Sequence, residues 1–481
     1  MVAHKLEVTS KKAGSDEANL WTSSAGSEFT IVEATKEEQG TSITLHMKED
    51  DLEFLEEYRL KSIIERYSNH IPFAIYFEKE EEGEQKSEQI NKASALWRLS
   101  KSEIKEEEYK EFYKTISHDS EDPRLFIHTK AEGTIEYNTL FYIPQTAPMD
   151  LFRVDYTSGI KLYVKRVFIS DDDKELLPTY LRFVKGIVDV EDLPLNVSRE
   201  ILQQNVVLSK VKKASVKKIL SELKKLKVKD NEAYLEFYKT FGRVLKEGIM
   251  SEFDNKDLLL ELLLFKSSKS DDLIDLATYH DNMQEGQKEI FYLTGEDTNM
   301  LKNSPLLEGY KAKGIEVLLL DEEVDSIIVP NIGMYKEIPL SAINHADMDE
   351  DKESLKESEE TFKELTVKIK EFLKDEVKDV KVTSRLQSSP SCLVYDKNDP
   401  DFAMQQMLKQ MGQPDLPDIK PILEINPEHA IFTKLNEKKD FNKLADVSSL
   451  LLDLAKLNEG MKINNTHEFS AKINKLIEES I

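Results

Sequence analysis

The chain has 481 residues, of which 40% are hydrophobic and 33% charged, and its formal net charge is −26. This length predicts two to four domains with buried cores, and the acidic balance argues against general nucleic-acid binding and against attachment to anionic membranes. Because Cys392 is the only cysteine, an intrachain disulfide and a cysteine-based zinc site are excluded, and we expect a reducing, cytoplasmic compartment.

Up to about residue 77 the apolar residues alternate as in β-strands. The alternating positions are Leu6, Val8, Phe29, Ile31, Ile43, Leu45, Met47, Phe73, Ile75 and Phe77. An amphipathic helix precedes the last three, with its stripe at Leu60, Ile63, Ile64 and Tyr67. A sheet with one covering helix buries only one face. We therefore predict half of a domain, whose other apolar face, including Ile43 and Leu45, is exposed.

Residues 79–89, KEEEGEQKSEQ, predict a short acidic linker, and residues 90–345 then mix strands and helices. Residues 160–169 have the pattern of a single strand.

Residues 206–229 predict a lysine-rich amphipathic helix, because Val216, Ile219, Leu220 and Leu223 form a stripe with helical spacing. Its lysine face is interpreted as a solvated surface rather than a nucleic-acid site. Residues 289–293, a following helix and residues 315–320 predict a small α/β unit.

A polar, acidic stretch at residues 345–360 marks the next boundary. A helix follows, with a narrow apolar seam at Phe362, Leu365, Ile369 and Phe372. Val380 and Val382 indicate the start of a strand. Two helices with strongly apolar faces, at residues 447–457 and 469–477, end the chain.

Residues 191–205, EDLPLNVSREILQQN, join a turn to a helix that opens with Glu200. In one interpretation Ser198 caps an ordinary helix, with Glu200 in its favoured first turn. In the other, Arg199 offers a planar guanidinium beside a helix N-terminus, where an anion such as phosphate is stabilised. The residues alone leave both interpretations open.

A methionine-rich stripe lies at Met404, Met407, Leu408 and Met411, with spacing i, i+3, i+4, i+7. Core packing is the usual role of such a stripe. Three flexible thioether side chains on one face also suit a surface that adapts to varied partners. Both roles therefore remain possible on the pattern alone.

The two last helices carry leucine-rich stripes that predict either packing within the chain or a four-helix bundle between two chains. The stripes consist of Val447, Leu450, Leu451, Leu454, Phe469, Ile473 and Leu476. A four-helix bundle would make the protein a homodimer.

Several kinds of site find no support in the sequence. The nine histidines show no metal-binding spacing, and no Walker A or GxGxxG motif occurs among the 16 glycines. The first residues, MVAHKLEVTSKK, contain no apolar core of signal-peptide length. The most apolar stretch, residues 258–265, is too short to span a membrane. We accordingly expect neither a metal centre nor a membrane partner.

Many segments, all in one order, together resemble the ninety-kilodalton heat-shock chaperone family in its bacterial form. The matching residues are 90–92, 96–97, 107–113, 142–144, 147–148, 161–169, 178–184, 191–205, 286–288, 290–292 and 314–318. This resemblance extends over essentially the whole chain. It implies an α+β, multidomain fold.

The resemblance also implies how the chain is divided. Residues 1–78 correspond to the C-terminal remnant of a nucleotide-binding domain, an α/β sandwich of the GHKL type. The acidic linker at residues 79–89 follows, and residues 90–345 form an α/β middle domain. Residues 346–481 form an α/β domain for dimerisation and client binding.

Particular residues acquire roles from the same resemblance. Arg199, Asn196 and Gln203 correspond to the family's catalytic loop, which reaches ATP, and Thr41 corresponds to a threonine near the adenine. The client-binding residues would be Met404, Met407, Leu408, Met411 and Phe152. The dimer contacts would be Leu450, Leu451, Leu454, Ile473 and Leu476.

The family uses ATP and Mg²⁺, but its catalytic Glu, adenine-side Asp and glycine-rich lid are expected upstream of Met1. The resemblance therefore implies a chaperone that binds non-native proteins as a homodimer, together with co-chaperones, while this chain itself holds no nucleotide. A non-catalytic dimerising scaffold and an ATPase of DNA metabolism, of the gyrase B or mismatch-repair type, are the alternatives.

Overall fold

The structure is a computed structural model in which the chain divides into two compact units. The first comprises Met1–Pro144, Thr157–Leu176 and Val184–Val211, and the second comprises Gln145–Tyr156, Leu177–Phe183 and Lys212–Ile481. The structure describes residues 2–24, 26, 28–81, 84–172, 174–194, 206–345, 352–397, 399–400, 402, 404–405, 409, 419–438, 443–463 and 465–480. The α+β, multidomain fold class is confirmed. The predicted division into domains stays a prediction.

The first unit opens with an antiparallel sheet of four strands in the order β3-β2-β1-β4. The strands are β1 (Ala3–Lys11), β2 (Ala18–Ser23), β3 (Phe29–Ala34) and β4 (Gly40–Met47). Leu6 lies opposite Leu45, and Val8 lies opposite Ile43. Because residues two apart on a strand share a face, these side chains lie on one side of the sheet. Both Ile43 and Leu45 are exposed, as the sequence predicts.

Helix α1 (Glu57–Ser68) buries none of its side chains, and the antiparallel hairpin of β5 (Tyr76–Glu81) and β6 (Glu84–Gln89) follows it. The residues predicted as a linker therefore lie largely in a hairpin. The strand predicted from Phe73 begins only at Tyr76. The Asn91 side chain accepts a hydrogen bond from the Ile75 amide at 2.8 Å and donates one to the Phe73 carbonyl at 2.9 Å. A side chain thus satisfies backbone groups that a strand beginning at Phe73 would have paired with a neighbouring strand.

A mixed sheet of five strands, in the order β10-β9-β11-β8-β7, forms the rest of the first unit. Its strands are β7 (Leu125–Ala131), β8 (Tyr137–Ile143), β9 (Gly159–Val164), β10 (Val167–Ser170) and β11 (Lys185–Val190). Helix α2 (Glu106–Ser117) contributes Tyr109, Phe112 and Tyr113 to an aromatic core around Trp97.

The single strand predicted at residues 160–169 is wrong, because β9 and β10 form a hairpin there. Lys165 and Arg166 turn the chain with φ angles of 51° and 67°. Two consecutive positive φ values are characteristic of the tight hairpin turns that match strand twist.

The second unit contains most of helix α3 (Val206–Lys229), whose bounds coincide with the prediction. The predicted stripe of Val216, Ile219, Leu220 and Leu223 is buried. Helix α4 (Asn231–Lys246) follows, and the Asp230 side chain caps it by accepting a hydrogen bond from the Ala233 amide at 3.0 Å.

Next comes a mixed sheet in the order β12-β14-β13-β16-β15, in which β13 runs parallel to β14 and β16. The strands are β12 (Lys266–Ser267), β13 (Ile290–Thr294), β14 (Leu318–Leu320), β15 (Met334–Tyr335) and β16 (Ile338–Ala342). The helices around it are α5 (Lys256–Leu260), α6 (Leu276–Asp281), α7 (Thr298–Lys302), α8 (Glu308–Ala312) and α9 (Asp325–Ile332). The predicted small α/β unit is therefore confirmed.

The last part of the second unit has a three-stranded sheet in the order β17-β19-β18. Its strands are β17 (Asp379–Val382), β18 (Ser391–Val394) and β19 (Ile422–Ile425). The helices are α10 (Lys352–Phe372), α11 (Ala430–Lys438), α12 (Leu444–Asn458) and α13 (Thr466–Ser480). Phe362, Leu365 and Ile369 of α10 pack in the core of this part, whereas Phe372 is exposed.

A carboxylate clasp joins α8 to the loop before β18. Glu308 accepts hydrogen bonds from the backbone amides of Gln387, Ser388 and Ser389, at 2.6, 2.9 and 3.3 Å. The hydroxyls of Ser388 and Ser389 donate to its other oxygen at 2.8 and 2.7 Å. Three amides and two hydroxyls thus converge on one carboxylate.

Candidate functional site

The segment that leads to the Arg199 loop is fixed by a buried carboxylate. Asp189, near the end of β11, is fully buried and accepts hydrogen bonds from the Trp97 indole at 2.7 Å and from the Arg98 guanidinium at 2.6 Å. Arg98 also forms an ion pair with Glu191. Asp189 and Glu191 are therefore both held by Arg98 where the chain leaves this sheet. Arg199, Asn196 and Gln203 themselves lie outside the described residues.

Thr41 lies on the exposed edge strand β4, and its hydroxyl is 3.0 Å from the Ser10 hydroxyl. It is the only member of the predicted nucleotide-binding set that the structure describes. Within the described ranges, no three His, Cys, Asp or Glu side chains gather in a group that could hold a metal ion.

Phe152 belongs to an apolar loop, residues 145–156, that is held firmly although its tip is exposed. The Phe152 ring is 58% exposed, and the neighbouring Met149 and Val154 are fully exposed. Leu151 is buried, and its carbonyl accepts a hydrogen bond from the Arg182 guanidinium at 2.6 Å. The loop thus presents apolar side chains to solvent from a fixed backbone.

Arg182 is the central polar residue of this region. Its guanidinium makes two hydrogen bonds to the Glu247 carboxylate, at 2.5 and 2.9 Å, and a third to the Thr179 carbonyl at 3.0 Å. The side chain is only 7% exposed. A second arginine, Arg243, lies over the Phe152 ring at 5.5 Å from its centroid, within the range of a cation–π interaction. Sequence patterns did not indicate either arginine.

A second exposed apolar segment follows α4. Met250 and Phe253 are exposed, and between them the Glu252 carboxylate accepts a hydrogen bond from the Tyr180 hydroxyl at 2.7 Å. Burial and this bond to Glu252 raise the pKa of Tyr180 well above its ordinary value, so the hydroxyl remains a donor at neutral pH.

Only part of the methionine-rich segment is described. Met404 is half-buried, whereas Met407, Leu408 and Met411 lie outside the described residues. Gln405 is buried, and its side chain donates to the Pro400 carbonyl at 3.0 Å and accepts from the Ile419 amide at 3.1 Å. The Gln405 side chain therefore links Pro400, which precedes the methionine-rich segment, to Ile419, which follows it.

The predicted dimer residues on the two last helices differ in exposure. Leu450 and Leu451 are buried, and Leu451 belongs to the core formed with α10 and the three-stranded sheet. Leu454 and Leu476 are 40% and 44% exposed, and Ile473 is half-buried. The Lys472 ammonium of α13 donates to the Ser449 hydroxyl of α12 at 2.9 Å, which joins the two helices. Leu457 and Ile477 are exposed as well.

Comparisons with known proteins relate the whole chain to one family. Residues 77–481 match the family model described as Hsp90 protein. A protein named chaperone protein HtpG, from Campylobacter jejuni, is 58% identical over 99% of this chain and 79% of its own length. The proteins of the same name from Wolinella succinogenes and Sulfurimonas denitrificans are 52% and 49% identical, over all of this chain and 79% and 80% of their own lengths.

None of the helices within the described residues combines the length and the apolar composition that crossing a membrane requires.

Proposed function

The chain belongs to the Hsp90 family of chaperones, and on that basis we propose that it binds unfolded or partly folded client proteins. The observation that carries the proposal is the loop at residues 145–156. It exposes Met149, Phe152 and Val154 together, while hydrogen bonds hold its backbone. Large exposed groups of apolar side chains often mark the binding sites of proteins. Non-native proteins expose the apolar segments that such a loop would cover.

Charge supports the same function. A net charge of −26 keeps a protein soluble while it holds partners that tend to aggregate. The methionine-rich segment, Met404, Met407, Leu408 and Met411, is proposed as a second client contact, because thioether side chains adapt to partners of different shape. Met404 is the member of this set that the structure describes.

A homodimer formed through α12 and α13 is part of the proposal. Leu454, Leu457, Leu476 and Ile477 are exposed on two helices that are already joined to each other. A second copy would bury these side chains in a four-helix arrangement. The more buried side chains Leu450, Leu451 and Ile473 would then pack behind the side chains that form the interface.

Coupling to ATP and Mg²⁺ is proposed at the level of the family. Arg199 would supply positive charge to a phosphate, as arginine fingers do, and Asn196 and Gln203 would support its loop. Thr41 would lie near the adenine. Client contact is proposed here without a nucleotide step. Co-chaperones and a cytoplasmic location are likewise proposed from the family.

Two other functions are weaker. A scaffold that only dimerises would have no need of the exposed side chains Met149 and Phe152. An ATPase of DNA metabolism is disfavoured by the Hsp90 family match over residues 77–481 and by the acidic charge.

Light scattering tests the proposal directly. Chemically unfolded citrate synthase is diluted into buffer with the chain, or with an equal mass of ovalbumin. Client binding predicts lower scattering with the chain, without added nucleotide. Equal scattering in both samples would leave the dimerising scaffold as the better account.

A further inference from the structure

We propose that Lys161 is a site of covalent acylation by small acyl phosphates, whose phosphate group is bound by Arg66. The site consists of Lys161 on β9, Arg66 on α1 and Asp171, which directly follows β10. All three residues belong to the first unit. The inference does not depend on the proposed client binding, because Lys161 takes no part in that contact.

Lys161 lies on the core side of the five-stranded sheet. It is directly opposite Ile187 of β11, and it shares a face with Tyr163, because residues two apart on a strand point to the same side. Both Ile187 and Tyr163 belong to the aromatic core around Trp97. Lys161 is half-buried there, as a lysine is when its long stem covers apolar surface and its amine reaches towards solvent.

The amine of Lys161 lies near an ion pair that it does not join. Arg66 pairs with Asp171 at 3.2 Å, whereas no hydrogen bond or ion pair to a described residue holds the Lys161 ammonium. An ammonium group that is partly removed from water and has no such partner loses hydration without compensation. The neutral amine is therefore favoured at this position.

The neighbouring groups act on the pKa of Lys161 in the same overall direction. Burial lowers this pKa because it disfavours the charged ammonium; the Asp171 charge opposes the shift, and the Arg66 charge adds to it. His70 is neutral at pH 7, since burial lowers its pKa as well. Tyr163 stays protonated, because burial raises its pKa. A larger fraction of Lys161 than of an ordinary lysine is thus the neutral, nucleophilic amine.

The reaction joins the Lys161 nitrogen Nζ to the acyl group and releases phosphate. The Nζ lone pair attacks the carbonyl carbon, an N–C bond forms, and the bond from that carbon to the phosphate oxygen breaks. The phosphate leaves with the bonding electrons and takes up the proton that the nitrogen loses, so the products are an amide and hydrogen phosphate. Arg66 contributes binding: its guanidinium matches the geometry of phosphate, and its side chain is 58% exposed to dissolved anions.

Acetyl phosphate is the probe for the reactivity of Lys161. The chain is incubated with it at several pH values, and mass spectrometry of proteolytic peptides gives the initial acetylation rate of each lysine. Lys130, in β7 of the same sheet, is the control, because it is exposed and its hydrogen bond to Glu132 raises its pKa.

We expect Lys161 to react at least about fivefold faster than Lys130 at pH 7. The ratio of the two rates should fall as the pH rises towards the pKa of Lys130, because Lys130 then becomes neutral too. A rate at Lys161 that equals or falls below the rate at Lys130 would overturn the inference.

Two variants of α1 test the phosphate contact. Arg66→Gln removes the proposed binding group, and the matched control Arg59→Gln removes another exposed arginine of the same helix, which pairs with Glu53 at 3.0 Å. Each variant is acetylated with acetyl phosphate and with N-acetoxysuccinimide, an uncharged donor. Because loss of the Arg66 charge also raises the pKa of Lys161 and slows both reactions, the quantity compared is the ratio of the two rates.

We expect Arg66→Gln to lower the Lys161 rate with acetyl phosphate, relative to the rate with N-acetoxysuccinimide, at least about threefold. Arg59→Gln should leave this ratio unchanged. Both arginines are exposed, so both variants should keep the thermal unfolding midpoint of the unmodified chain. An unchanged ratio for Arg66→Gln would overturn acyl phosphates as the substrate class.

Discussion

Arg182 and Glu247 are joined by two hydrogen bonds, of 2.5 and 2.9 Å, across 65 residues of sequence. The same guanidinium holds the Leu151 carbonyl of the loop that carries Phe152. One nearly buried side chain therefore ties an exposed apolar loop to the turn after α4.

Replacing this arginine should destabilise the second unit. Arg182→Met leaves the Leu151 carbonyl and the Glu247 carboxylate without their donor, at an expected cost of about 1–3 kcal/mol. Urea unfolding followed by circular dichroism measures the change. Arg153→Met, an exposed arginine on the same loop that pairs with Asp155, should change the free energy by less than about 0.5 kcal/mol. Equal effects of the two substitutions would mean that Arg182 does not hold the loop.

Helix α3 is the element that the sequence predicts most closely, whereas no pattern had indicated the long helix α4 (Asn231–Lys246). The bounds of α3 coincide with the prediction because Val216, Ile219, Leu220 and Leu223 keep a helical period. The hairpin of β9 and β10 was missed because Lys165 and Arg166 form its turn. Residues with positive φ at such turns are usually Asn or Gly. A lysine followed by an arginine therefore gives no signal of a turn in the sequence.

The candidate site was predictable only in part. The apolar loop at Phe152 came from the family resemblance, whereas Arg182 acts on residues 31 and 65 positions away, a distance that no local pattern encodes. Leu451 and Leu454 share one helical stripe. Only the packing of α12 on the sheet reveals that the first is buried and the second exposed.

The amides of β4 should exchange faster than those of β9. Strand β4 is an edge strand beside β1, and Ile43 and Leu45 on it are exposed, whereas β9 lies between β10 and β11. Local opening is easier where few buried contacts are lost. Hydrogen exchange with mass spectrometry compares residues 41–47 with residues 159–164. Equal protection of both strands would contradict the exposed face described for the first sheet.

The association state should depend on Leu454 and Leu476. A variant that combines Leu454→Glu and Leu476→Glu should yield folded monomers, because a dimer contact would bury unpaired charges at a cost of several kcal/mol. Leu451→Glu should instead unfold the domain, since Leu451 is only 4% exposed within one chain. Sedimentation velocity and circular dichroism distinguish these outcomes. A double variant that sediments as a dimer would contradict the proposed interface.

Glu308 should make stability depend on pH. Partial burial opposes its ionisation, but hydrogen bonds from Ser389, Gln387 and Ser388 outweigh burial and lower its pKa from 4.5 to about 2. The contribution of Glu308 to the free energy of unfolding is therefore complete above about pH 4.5 and is lost as the pH falls through about 2. After allowance for solvent screening, Glu308→Gln should cost about 1–2 kcal/mol at neutral pH.

Urea unfolding at several pH values tests the Glu308 clasp. The difference between the unmodified chain and Glu308→Gln should shrink as the pH falls from about 4.5 towards 2. Glu323→Gln, at a side chain that is 90% exposed, should show little difference at any pH. If the difference in unfolding free energy between the unmodified chain and Glu308→Gln stays constant with pH, the negative charge of Glu308 is not what these hydrogen bonds stabilise.

Suppression of citrate synthase aggregation by the unmodified chain and by Phe152→Ser, compared by light scattering, tests client binding most directly. The exposed ring is the feature on which the proposal depends, and its removal leaves Leu151 and the Arg182 hydrogen bonds in place. We predict that the unmodified chain and Phe372→Ser lower the scattering equally and that Phe152→Ser loses most of this effect while keeping its thermal midpoint. Equal suppression by Phe152→Ser and the unmodified chain would contradict the account.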